Sequence, residues 1–556
     1  MPKIEITEID ETTPGVAAES YDVVFIPGLV DTDQPSLYAN GEYIGLNVDE
    51  PTLFTSVAQF EAKCGTKPYQ FTENYTYGSI GDGYAAGAGF NSLTNSSDIM
   101  FAKGSYDPSY IMAKELLNQG LTVLYLNINP EKIGQYTKSK PSYEVFIPTN
   151  YYAYTIIPIK EIGEAGKEIP GDPIYPNNDL TSSYYYQNII EGEQWNTNTF
   201  PNGVYSVTFT GYVDKSNWVA QPTITPQDVY IKLETIYKSD NTNILIDKGS
   251  YSIKYVTSGG YPTFNYIAMN DDGSQGTIYA LVNNMLEFAY KRGDCVTLID
   301  HPDIYSGVLD PNTKKGLYDL VTSYFTTSSL HQEFGSMFTP WATYSRTTID
   351  VDSDNDAFKS TTSIRLPASY AYLSSLADSI KTNANFLAVA GVTRGKVLHL
   401  GTNSMNTTIT NGVADTMQPR QGVAINAITN IRPYGYCIWG NRTLKNNEEN
   451  LVATSFLNIR NLVSDVKKLV YQVSKRLTFE QNNDILWINF NNQITPTLDR
   501  MVAGYGISSY RLIRDITHPK YKEKATLCAK VILRPVYAVE DFYITVVLKD
   551  DEVTVE

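Results

Sequence analysis

A chain of 556 residues carrying 60 Asp/Glu against 43 Lys/Arg, for a net charge of -17, is too long for one ordinary core and suggests three or four folding units. So acidic a balance argues against holding nucleic-acid phosphates or an anionic membrane surface. Its four cysteines, Cys64, Cys295, Cys437 and Cys528, lie too far apart for a metal-ligand spacing or a CxxC pair, and read as reduced, buried thiols.

The opening MPKIEITEIDETTPG has no basic segment leading into an apolar one, and no run of about 18 apolar residues occurs anywhere. The expectation is a protein made and kept in a cytoplasm, or released by lysis. Residues 1–20 set Ile4, Ile6 and Ile9 among acids and read as an extended arm. A short buried strand follows at 21–27 (YDVVFIP), then a helix within 51–64 with Thr55 or Ser56 as its cap. Residues 110–118 predict a helix stopped by Gly120, and 121–128 (LTVLYLNI) a near-continuous apolar strand, the mark of a strand buried on both faces.

The same alternation of helix and strand returns at 275–291 with 295–299, and at 370–380 with 386–392 (FLAVAGV). Between these halves, 141–265 changes to short alternating runs, 204–209, 229–237 and 251–256, which suggest an inserted all-β sandwich. Further on, 458–477 carries one apolar stripe from Ile459 to Leu477 with Lys475 and Arg476 at its end. A second helix is expected at about 493–503, then strands at 525–534 and 542–548.

Catalytic patterns are incomplete. Gly81-Asp82-Gly83-Tyr84-Ala85-Ala86-Gly87 is one residue too long for a dinucleotide loop and no strand enters it, and no GxxxxGK[ST] string exists. Asp350, Asp352, Asp354 and Asp356 alternate like a calcium loop but lack its Gly and its bidentate Glu. Ser404 sits in a subtilase-like Gly-Thr-Asn-Ser-Met string, yet His301, His331, His399 and His518 offer it no triad context, and Asp300-His301-Pro302-Asp303 reads as a strand-end loop. No catalytic, metal or cofactor residue is assigned.

Residues 435–534 carry fifteen Lys/Arg against eight Asp/Glu, a basic patch in an acidic chain whose fitting partner is an acidic protein surface. Lys467, Lys468 and Arg500 are its candidates for contact with a partner. The 43 Tyr would suit extensive subunit interfaces.

Several strings resemble the contractile tail sheath family. They are Pro14-Gly15-Val16, 24–28, 51–65 (PTLFTSVAQFEAKCG) and the helix and strand of 110–128 with the turn Asn118-Gln119-Gly120. The most specific is 428–444 (ITNIRPYGYCIWGNRTL), similar to a G-x-x-x-W-G-x-R-T-L string through Gly435, Trp439, Gly440 and Arg442. After it, 479–487 (FEQNNDILW) is similar to F-E-P-N-N-x-x-L-W through Phe479, Glu480, Asn482 and Trp487, with Gln481 in place of Pro. Residues 535–544 (PVYAVEDFYI) resemble the P-x-x-P-A-E-F-I ending without its second Pro.

The resemblance covers about 14–130 and 270–550. It implies an α/β, multidomain α+β chain: a subtilisin-like α/β core without a catalytic triad at 21–140 and 266–430, and an inserted β-rich outer domain at 141–265. A C-terminal α+β sheath domain at 431–540 and extended arms at 1–20 and 541–556 complete it. It further implies a non-enzymatic subunit of stacked six-fold rings around a tail tube protein, with baseplate and tail terminator proteins as partners and no cofactor. Neither nucleic acid nor membrane is touched directly. Arm strands, here around Ile4, Ile6, Ile9, Tyr543, Ile544 and Val546, would add to neighbours' sheets. The setting would be a virion tail assembled in host cytoplasm, or a phage-derived injection system. A subtilase-like hydrolase built on Ser404, and an adhesin built on the Tyr-heavy insertion, are the readings from other classes.

Overall fold

The computed structural model describes residues 22–32, 34–39, 42–71, 75–76, 99–101, 105–129, 154–162, 168–172, 174, 190–191, 194–195, 197–209, 226–240, 243–261, 263–266, 278–301, 325, 331–345, 363–382, 386–398, 409–419, 422–445, 451–522 and 525–540. Eight strands form the main sheet: β1 (Val23–Gly28), β2 (Thr52–Phe54), β3 (Thr122–Asn127), β4 (Tyr255–Val256), β5 (Val296–Asp300), β6 (Gly335–Thr339), β7 (Asn426–Ile431) and β8 (Gly435–Trp439). Their order is β8-β7-β6-β5-β4-β1-β3-β2. The six inner strands are parallel, and the edges β8 and β2 run antiparallel to their neighbours. β1, β3 and β5 are buried at every residue, as their unbroken apolar runs require of strands covered on both faces.

Side chains alternate across the strands, so β1 feeds two cores. Val24 and Ile26 pack with α1 (Val57–Cys64), α2 (Pro108–Asn118) and α5 (Ala368–Lys381) through Phe60, Tyr110, Leu116 and Leu373. Val23 and Phe25 face α3 (Pro226–Ile236) and α4 (Val282–Arg292) through Leu233, Tyr237 and Phe288. The architecture is a three-layer α/β unit. Ser56 caps α1 by accepting from the Gln59 N–H, and α2 closes at Gly120, whose φ of +92° suits a residue without Cβ.

A second unit packs α6 (Leu457–Leu477) and α7 (Asp484–Ala503) beneath a two-stranded antiparallel sheet, β9 (Ile507–Arg514) with β10 (Ala529–Pro535). Leu462, Val466, Leu469 and Val473 line up on α6 at helical spacing against Phe490, Ile494, Leu498 and Met501 of α7. Strands at 154–162, 168–170 and 204–209 make a separate three-stranded sheet.

Four sequence expectations are corrected. Residues 229–237 form most of α3 rather than a strand; Val229, Leu233, Ile236 and Tyr237 are buried one or two turns apart while Ile231 is exposed. The run at 386–392 forms no strand: Phe386 and Val389 are carried into two different cores, and Gly391 starts a short helix. Ile278 belongs to a strand pairing 278–280 with 264–266, so α4 begins at Val282. α7 begins at Asp484, nine residues before the expected start, with Asn483 as its cap. The expected strand at 251–256 narrows to β4, which sits between β1 and β5 in the main sheet.

All four cysteines are free and buried. Among the described residues, no helix is long and apolar enough to cross a membrane, and no group of three or more His, Cys, Asp or Glu could hold a metal.

Candidate functional site

A parallel sheet of this kind offers a ligand crevice where the chain order reverses, outside the carboxyl ends of the strands. Here that point lies between β1 and β4, since the chain passes from β1 to β3 on one side and returns to β4 on the other. It is filled. The Asp107 carboxylate accepts from the Leu29 N–H at 3.2 Å, the Tyr261 hydroxyl at 2.7 Å and the Ser109 hydroxyl, and Tyr125 donates to the Leu29 carbonyl. A Cβ on Gly259 would lie 2.0 Å from the Pro27 carbonyl oxygen, so the strand ends close on each other.

Burial pushes the Asp107 carboxyl up to about 6, against the pull of its donors. Asp300, at the end of β5, is pushed up to about 7 by burial while it accepts from the Ser369 N–H at 2.7 Å and the Ser369 hydroxyl at 2.9 Å. Both carboxylates serve the first turns of helices, Asp107 at α2 and Asp300 at α5. His301 is buried, and its backbone N–H donates to the Phe338 carbonyl.

The built polar features lie instead at the first and last described residues, Asp22 and Glu540. Asp22, at the foot of β1, holds the Lys254 ammonium at 2.6 Å, and Lys254 also meets Asp465 of α6 at 3.0 Å. Burial of Lys254 opposes its charge, but the attraction of Asp22 and Asp465 outweighs that and raises its pKa. One ammonium thus ties the root of the N-terminal segment, the approach to β4 and the long helix into one point.

At the other end, Arg442 forms a two-point pair with Glu540, its Nε donating to Oε1 at 3.0 Å and an NH2 group to the other oxygen. The guanidinium also lies 4.8 Å from the Phe456 ring, on which Tyr537 packs edge-on. Two of the sequence strings, WGNRTL and PVYAVE, therefore meet in space, joined by an ion pair across 98 positions.

Of the other signature residues, Gly435, Trp439 and Gly440 lie around β8 beside this joint, Asn482 and Trp487 belong to the α6–α7 unit, and Phe479 and Glu480 lie bare. Gly435 takes a φ of +89° in the β7–β8 turn. Trp439 donates its indole N–H to Asp415. Gly440 leaves room for Asn426, whose carboxamide oxygen would be 2.6 Å from any Cβ there. Fully buried Asn426 accepts from the Arg442 N–H at 2.9 Å and donates to the Arg442 carbonyl at 2.9 Å, which fixes the arginine's backbone. Asn482 donates to the Thr526 carbonyl and Trp487 stacks on Phe490. Glu480 is exposed, and Phe479 is fully exposed with a φ of +76°.

The three basic candidates do not share a face. Lys468 is a correction: it is buried, donates to the Ser252 hydroxyl at 3.4 Å and is pushed down to about 8 by burial. Lys467 is exposed, with its ammonium 5.7 Å from the Phe334 ring. Arg500 projects from α7, in contact with Thr497. Ile4, Ile6, Ile9, Tyr543, Ile544 and Val546 lie outside the described residues, as do Ser404, His399, the glycine loop at 81–87 and the aspartates at 350–356. Sequence reasoning missed Lys254, Asp465 and Asn426, while Asp22 and Glu540 stood inside quoted strings with no role given to them.

No family model matches the chain, and no curated protein matches it. Among solved structures, the fold is similar to the sheath tail protein from Desulfitobacterium hafniense (10% identity, 96% of this chain and 100% of that one, TM-score 0.41). It is also similar to a chain of the anti-feeding prophage baseplate in the contracted state (14%, 58% and 81%, TM-score 0.39). A third is the sheath complex of PVC, an extracellular contractile injection system, in the contracted state (17%, 46% and 63%, TM-score 0.34); the match spans 63% of that chain's length.

Proposed function

We propose that the chain is the structural, non-enzymatic subunit of a contractile sheath, stacking in six-fold rings around a tail tube and joined to its neighbours by its two end segments. The observation that supports this is the meeting of the WGNRTL and PVYAVE strings at Arg442 and Glu540, which brings the chain's most specific string against its last described residue. Both roots are clamped by ion pairs, as suits segments that carry load between subunits.

The receiving surface is the β9–β10 sheet. Among the described residues it has two strands, whose outer edges would take strand addition by another copy at about 1 kcal/mol net per hydrogen bond. The filled crevice at the switch point, with its carboxylates committed to helix starts, supports a role without catalysis. On this reading 431–540 faces the tube, the strands at 154–209 belong to an outer unit, and the core corresponds to a catalytically empty subtilisin-like domain. The test is removal of residues 1–19: the reading expects a folded subunit that no longer forms long tubes, and long regular tubes from that truncation would end it.

A further inference from the structure

At the foot of the sheet lies a cleft of about 730 Å³, bounded by the starts of β1 and β3, the edge strand β2, the 248–252 turn and the C-terminal half of α6. One stripe of α6 supplies a wall, with Lys468, Tyr471, Gln472, Lys475 and Arg476 one or two turns apart. Lys248 joins from the turn, so among the described lining residues four cations face the cleft against the carboxylate of Asp294, with Asp247 close by Lys475. Leu53 and Tyr471 add apolar surface and are exposed.

The chain itself enters the fold at this cleft. Val23 lines it, and Asp22 is pinned to Lys254, which Asp465 holds from α6 one turn before Lys468. The described chain thus begins beside a cationic wall, and residues 1–19 carry Glu5, Glu8, Asp10, Glu11 and Glu19 against Lys3 alone. At roughly 3.3 Å per extended residue, the eleven residues from Asp22 back to Glu11 can cover up to about 36 Å, against about 15 Å of α6 from Asp465 to Lys475, so the acidic stretch has the reach to lie alongside α6.

We infer that in the unassembled subunit the cleft holds this chain's own acidic N-terminal segment against Lys248, Lys475 and Arg476. Docked there, the segment's apolar alternation is kept from pairing with another copy's sheet edge, and an incoming subunit must displace it before strand addition begins. The contact is electrostatic over an apolar floor, so salt weakens it. It concerns the free subunit and stands whether or not the segment later joins a neighbour.

Hydrogen exchange on the full-length protein, at a concentration where microscopy finds no tubes, tests this. Residues 1–19 are expected to exchange at least about tenfold more slowly than the same synthetic peptide, and to approach the peptide's rate in about 0.5 M NaCl. Lys475→Glu with Arg476→Glu should remove the protection while leaving the exchange of α2 and α5 unchanged. Adding Glu8→Lys and Asp10→Lys to that variant should restore it. Peptide-like exchange in the wild-type protein, protection that survives the reversal, failure of the charge swap, or protection that grows with protein concentration would each overturn the inference, the last by assigning the cleft to a second copy. Loss of long tubes on removing residues 1–19 would be unaffected by any of these results.

Discussion

Replacing Glu540 by Gln keeps the shape of the Arg442 joint and removes its charge. The Arg442 side chain is 4% exposed and Glu540 30% exposed, so the change strands a buried guanidinium whose former partner was in part hydrated. Breaking a fully buried pair costs about 3–5 kcal/mol; with one partner near a third open, about 2 kcal/mol is expected. Arg442→Met removes the cation instead, forfeiting the pair and the contact with the Phe456 ring, worth about 0.5–1 kcal/mol. The double variant should then lose less than the two singles together, with a coupling of about 1–2 kcal/mol. Hydrogen exchange over 435–445 and 529–540 measures this as local opening free energy, and microscopy of Glu540→Gln should find fewer and shorter tubes. Coupling below about 0.3 kcal/mol, or normal tubes from the single variants, would refute the idea that this joint anchors the C-terminal segment.

For Asp300, the folded carboxyl near 7 lies above its ordinary value of 3.8, so the folded state holds an extra proton between these values and stability falls as pH rises through that window. The fall is at most about 4 kcal/mol, and Asp300→Asn should flatten it in denaturation midpoints measured from pH 4 to 8; an unchanged slope would place the titration elsewhere. Arg500→Glu should weaken co-assembly with an acidic tube protein and leave subunit melting unchanged, whereas Lys468→Glu should lower melting because that side chain is buried. Deleting 141–225 with a short Gly/Ser linker should give a folded, assembling subunit, while deleting 141–265 should not, because it removes α3 and the central strand β4.

The parts of the fold that were legible are those where one local signal coincides with burial. β1 and β3 are apolar throughout and buried throughout, and the α6 stripe from Leu462 to Val473 is the face that packs on α7. α3 was hidden because VYIKLETIY alternates like a strand in a β-branched and aromatic composition, while its buried positions follow the helical period. FLAVAGV is apolar because it feeds two cores, which looks the same in sequence as a buried strand. Polar burial was illegible for a different reason. Lys254 and Asp465 are 211 positions apart, and Lys468 on the same helix reads as an ordinary surface lysine until the 248–252 turn covers it. The sheath strings marked Arg442 and Glu540 separately, and the fold alone joins them.

On the proposed reading this chain assembles on itself into a sheath. Negative-stain electron microscopy of the purified full-length protein, concentrated in low salt, tests it most directly: six-fold rings or striated tubes are the predicted result, and a protein that stays monomeric under every condition that leaves it folded would contradict it.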